Sequence, residues 1–89
     1  MIKKVIASLE NVAKLVRSNA DIEKVELAVK AARSVIQGFS SNGTQALSEL
    51  DHELEIWLSK LSVILKEEVG KKGMIQHALF WVEKLKSVS

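Results

Sequence analysis

Apolar residues in this chain return every three or four positions through four separate segments, and no proline interrupts any of them. That spacing follows the 3.6-residue turn of an α-helix and lines one side of it; a half-buried strand would need strict alternation. Ile2, Val5, Ile6, Leu9, Val12, Ala13 and Val16 predict a first helix over about 2–17. Ser18, Asn19, Ala20 and Asp21 break it, and Asp21 and Glu23 suit the positive start of a second helix over about 21–37. Its stripe is Ile22, Val25, Ala28, Val29, Ala32, Val35 and Ile36, with Gly38 as terminator. The stretch GFSSNGT reads as a loop that ends on Thr44, a good N-cap.

The third helix is expected over about 45–68, with Leu47, Leu50, Leu54, Trp57, Leu58, Leu61, Ile64 and Leu65 on one side. Val69, Gly70, Lys71, Lys72 and Gly73 are read as the turn into a fourth helix over about 74–87, which buries Ile75, Ala78, Leu79, Val82 and Leu85. The predicted fold is all-α: a small antiparallel four-helix bundle forming one domain over 1–89. A chain of this length buries roughly 60–65% of its unfolded surface and needs no staples.

Charge and composition narrow the function. The net charge is only +2. Basic residues gather towards the ends and acidic ones in the middle, an arrangement that a bundle compensates internally and that argues against a single basic nucleic-acid face. Without cysteine there is no disulfide scaffold, cysteine zinc site or thiol nucleophile, as suits a reducing compartment. The apolar run near the start is broken by Glu10 and Asn11, and no segment reaches the roughly 18 apolar residues of a membrane span. The expected location is the cytoplasm.

A second set of apolar residues falls behind the core stripes. On the fourth helix, Phe80 projects almost opposite the stripe, Trp81 lies at its edge, and His77 and Lys84 flank Phe80. On the third helix, Ile56 and Val63 form a narrow seam with His52 and Ser59, and Leu27 and Leu15 point outwards from the second and first helices. A hydrophobic fraction of 47% is high for a small chain with nothing to cover these residues. The expected contact set for a protein partner or a second copy is therefore Phe80, Trp81, His77, Ile56, Val63 and Leu27.

Motifs for chemistry are weak. Glu49 and His52 have the Glu-x-x-His spacing of bundle di-iron sites, but no second pair accompanies them and they lie away from the leucine stripe. No nucleophile elbow or paired acid–base set is present, so no catalytic residue, metal ligand, cofactor or small-molecule substrate is predicted. Gly70, Lys71, Lys72 and Gly73 lack the spacing of a phosphate-binding loop. The expected function is a non-catalytic helical interaction module, an accessory subunit or homo-oligomer. The alternative is a nucleic-acid-associated protein touching backbone phosphates, weakly and with steep salt dependence, through Lys71, Lys72, Lys3, Lys4 and Arg17.

Overall fold

The computed structural model of the protein describes residues 2–38 and 45–88. The four periodic segments form α1 (Ile2–Arg17), α2 (Ile22–Gln37), α3 (Gln45–Ile64) and α4 (Glu68–Val88). Of the loop expected over 38–44, Gly38 caps the end of α2, and residues 39–44, with the cap expected at Thr44, lie outside the described residues. Each helix packs on two neighbours in a ring, α1 with α2, α2 with α3, α3 with α4 and α4 with α1. Asn19, just past the end of α1, meets Lys71 near the start of α4, so those two helices run in opposite directions. Glu49 and Glu53 of α3 meet Lys84 and His77 of α4 in reversed order, so this pair is antiparallel too. The architecture is the antiparallel four-helix bundle that the periodicity predicts.

The core follows the stripes of α1 to α3 closely. Val5, Leu9, Val12, Val25, Val29, Leu50 and Leu54 are completely buried, and Trp57 and Leu61 continue the line along α3. Ile22 departs from its expected place and is 42% exposed, because it is the first residue of α2 at the end of the bundle, where fewer neighbours can cover it.

The break after α1 has a specific backbone cause. Asn19 adopts a left-handed conformation with φ 61°. Its N–H donates to the Val16 carbonyl at 3.1 Å, and the Ala20 N–H donates to the Leu15 carbonyl at 2.9 Å. These are the two bonds of a Schellman cap, with Leu15 and Ala20 supplying its apolar contact against the core. Asp21 then takes the N-cap position of α2 with extended geometry, yet its side chain makes no capping bond. Its backbone carbonyl instead accepts from Lys24 and Val25.

The connection between α3 and α4 corrects the expected boundaries. α3 stops at Ile64 rather than near 68, and α4 begins at Glu68 rather than near 74. The chain reverses through Leu65, Lys66 and Glu67, so Gly70 and Gly73 lie inside α4 and do not form the turn. Gly70 is there for closeness: a Cβ on it would stand 2.2 Å from the Ile64 carbonyl oxygen. Only a residue without a side chain lets the first turn of α4 lie against the end of α3.

The buried stripe of α4 also differs from the expected one. Met74, Ala78, Trp81, Val82 and Leu85 are buried, Ile75 is half-buried and Leu79 is 38% exposed. Trp81 turns inward because its ring offers the largest apolar area on the helix and its one polar atom finds a partner. The Nε1–H donates to Glu53 Oε2 at 3.1 Å. Leu79 is carried to the boundary by the same rotation.

Candidate functional site

Of the four helix seams, the one between α3 and α4 makes the least contact. Its outer side is an open groove of about 310 Å³, floored by Ile56, Trp57, Ile64 and Met74 with Gly70 and Gly73. The groove exists because α4 presents two glycines where a bundle helix ordinarily places side chains against its neighbour. A smaller hollow of about 230 Å³ continues from it past His77 and Glu53 to Phe80. Phe80 is 60% exposed and meets Trp81 edge to face, with ring centres 6.0 Å apart.

Polar side chains strap the lower part of this seam. Glu53 Oε1 lies 2.7 Å from His77 Nδ1, a bond in which the ring donates when its proton is on Nδ1. The other carboxylate oxygen takes the Trp81 indole, so one α3 residue holds two consecutive turns of α4. Lys84 Nζ stands 4.7 Å from the Trp81 ring centre and 6.0 Å from that of Phe80, a cation–π arrangement, and it reaches Glu49 at 3.9 Å. On the neighbouring seam Arg33 of α2 joins α3 through Asp51, with Nε to Oδ1 at 2.9 Å and Nη2 to Oδ2 at 3.3 Å, and approaches Glu55 at 3.6 Å. The bonds to Asp51 hold the Arg33 guanidinium above its ordinary pKa; partial burial opposes this, and the charges of Asp51 and Glu55 add to it.

The residues expected to meet a partner therefore divide. Ile56, 40% exposed, lines the groove, and Phe80 and His77 line its continuation. Val63, 70% exposed, stands two turns beyond Ile56 on the outer side of α3. Trp81 is only 4% exposed: it supports the face from beneath and presents almost nothing of itself. Leu27 is exposed but sits on α2, which packs against α1 and α3 and does not border the groove.

The expected phosphate contacts divide as well. Arg17, Lys71 and Lys72 share a cleft of about 360 Å³ between the end of α1 and the start of α4, with Asn19, Glu68 and Gln76. Lys71 is already engaged there, donating to Asn19 Oδ1 at 2.9 Å and pairing with Glu68 at 3.8 Å. Lys3 and Lys4 lie on the first turn of α1, about 20 Å away along its axis, at the other end of the bundle. The five do not form one surface.

Glu49 and His52 both line the groove, but among the described residues no three His, Cys, Asp or Glu side chains are gathered so as to hold a metal ion. Among the same residues, no helix is long and apolar enough to cross a membrane. Reasoning from the sequence missed Glu53 as the link between the helices. Its only signal was the placement of His77 and Trp81 one turn apart on the facing helix. No protein family, curated protein or solved structure matches the chain.

Proposed function

We propose that this protein is a non-catalytic helical interaction module whose contact surface is the outer face of α3 and α4. The observation that carries the proposal is the continuity of exposed Phe80 with the unfilled apolar groove between the helices. Fully burying a phenylalanine side chain contributes about 1.5–3 kcal/mol, most of which the isolated chain forgoes at Phe80. A partner helix that covers Phe80 and fills the groove recovers that term. The glycine floor lets its backbone approach closely, and His52, His77, Lys60 and Lys84 supply a polar rim.

The test is isolation of the native protein at low salt beside the Phe80→Ser/Ile56→Lys double variant. A defined complex that the double variant loses and a Lys71→Glu/Lys72→Glu variant keeps supports the reading. A complex indifferent to Phe80 and Ile56, or no complex at all, refutes it.

A second reading, contact with nucleic-acid phosphates, draws on the convergence of Arg17, Lys71 and Lys72 on one cleft. It is the weaker because Glu68 shares the cleft and Lys71 is occupied within the chain. Binding to a random duplex that falls steeply with salt and disappears in Lys71→Glu/Lys72→Glu supports it. Absent or salt-insensitive binding refutes it.

A further inference from the structure

Among the described residues, no packing contact requires a glycine at position 73. It lies in the interior of α4, where glycine is less stable than alanine, and a Cβ built on it meets nothing within 4 Å. Gly70, three residues earlier, is required by the Ile64 carbonyl; Gly73 is required by nothing described. Something outside the chain that approaches this point would account for it.

Phe80 stands on the same outward line of α4, two turns further on and about 10 Å along the axis. A projecting ring and an open glycine on one line are self-complementary. If two copies of α4 cross antiparallel about a two-fold axis between Gln76 and His77, each Phe80 falls over the partner's Gly73. Residue i then meets j and j meets i, the defining property of an isologous contact.

The charges agree with this reversal. Lys60 of α3 and, towards the α1–α4 cleft, Lys72 lie at the end of the bundle where α3 turns into α4 and have no ion pair among the described residues; with Lys66 and Lys71 they outnumber Glu67 and Glu68 at that end. Glu49, Glu53 and Glu83 lie towards its other end and outnumber Lys84 and Lys86 there: Glu49 pairs with Lys84, Glu83 with Lys86, and Glu53 is hydrogen-bonded to His77 and Trp81. The two-fold sets the basic end of one copy against the acidic end of the other and places Glu83 within a turn of the partner's Lys72. A parallel arrangement would stack like on like.

We infer that the occupant of this face is a second copy of the chain, docked about a two-fold axis through the middle of α4 with Phe80 seated on the partner's Gly73. The inference rests on the interaction reading above and makes it specific.

Sedimentation equilibrium over a concentration series tests it with three proteins. Wild type is expected to dimerise, and Phe80→Ala and Gly73→Leu each to weaken dimerisation by about tenfold or more, since each removes both symmetric contacts. Gly73→Leu faces open space and is a better helix former, so circular dichroism should show its helices intact. A mixture of the two variants restores association: one contact is native, and the other sets the shortened side chain at position 80 against the enlarged one at position 73. Because the chain has no cysteine, Gln76→Cys provides an independent reading. It should form a disulfide-linked dimer under mild oxidation far faster than Lys24→Cys on α2.

A wild-type monomer throughout the series, or a dimer indifferent to Gly73→Leu and Phe80→Ala, overturns the inference. Equal cross-linking at positions 76 and 24 does so as well. A monomer that still forms a defined complex sensitive to Phe80→Ser/Ile56→Lys leaves the interaction reading standing and shows that its partner is an unlike chain.

Discussion

Replacing Gly70 or Gly73 with alanine makes the same chemical change three residues apart in one helix, and the structure gives the two changes opposite signs. At Gly70 the new Cβ lies 2.2 Å from the Ile64 carbonyl oxygen and 3.0 Å from its carbon, whereas ordinary contact begins at 3.4 Å. The first turn of α4 must therefore retreat from the end of α3 by about 1.2 Å, against backbone atoms and not the yielding tip of a side chain. Overpacking of this kind costs about 1–3 kcal/mol. The gain of up to about 1 kcal/mol from removing a helical glycine only partly offsets it. At Gly73 nothing stands within 4 Å, so only the gain of about 1 kcal/mol remains.

Thermal and urea unfolding followed by far-UV circular dichroism, in a Phe80→Ser background that removes self-association, reads the difference. At roughly 4–8 °C per kcal/mol for a domain of this size, Gly73→Ala should raise the Tm by about 4–8 °C, and Gly70→Ala, with a net cost of up to about 2 kcal/mol, should lower it by up to about 8–16 °C. A turn made of residues 69–73, the arrangement first expected from the sequence, gives both glycines the same role and both alanines the same sign. Equal shifts, or a more stable Gly70→Ala, would refute the helix boundary at Glu68 and the role assigned to Gly70.

Leu54 is completely buried in the middle of α3, so Leu54→Ala should lower stability by about 2–5 kcal/mol in urea unfolding without changing the transition's slope. Arg33→Lys should weaken the seam between α2 and α3 by roughly 1–2 kcal/mol, because an ammonium cannot reproduce the two-pronged bond to Asp51; a double-mutant cycle with Asp51→Asn isolates that coupling. The raised pKa of Arg33 leaves this contribution fully present below the group's unfolded value and removes it only as pH rises through the folded one, so stability should show no loss of it across the neutral range. Asn19→Val should cost about 1–2 kcal/mol by forcing a β-branched residue into left-handed geometry, while Asn19→Gly, which keeps the backbone but loses the Lys71 bond, should stay close to wild type. For Trp81→Phe, which empties volume and leaves Glu53 without its indole donor, the expected loss is about 1–3 kcal/mol, measured by the same unfolding curves.

The sequence by itself determined the elements, because helical periodicity is a property of neighbours along the chain. The stripes of α1 to α3 and the break at Asn19 were legible for that reason, as was the outward direction of Phe80, Ile56 and Val63. What needed the tertiary structure was every feature that depends on how two helices meet. A glycine beside lysines reads as a turn until the Ile64 carbonyl is seen pressing on Gly70. The stripe of α4 could be rotated to favour Leu79 or Trp81 with little local preference, and Glu53 on the facing helix decided it by satisfying the indole. The basic residues looked like one set in the sequence; the antiparallel ring separates Lys3 and Lys4 from Arg17, Lys71 and Lys72 by the length of α1. Local spacing fixes which side of a helix is apolar, and only packing fixes which of its apolar residues are left for another chain to cover.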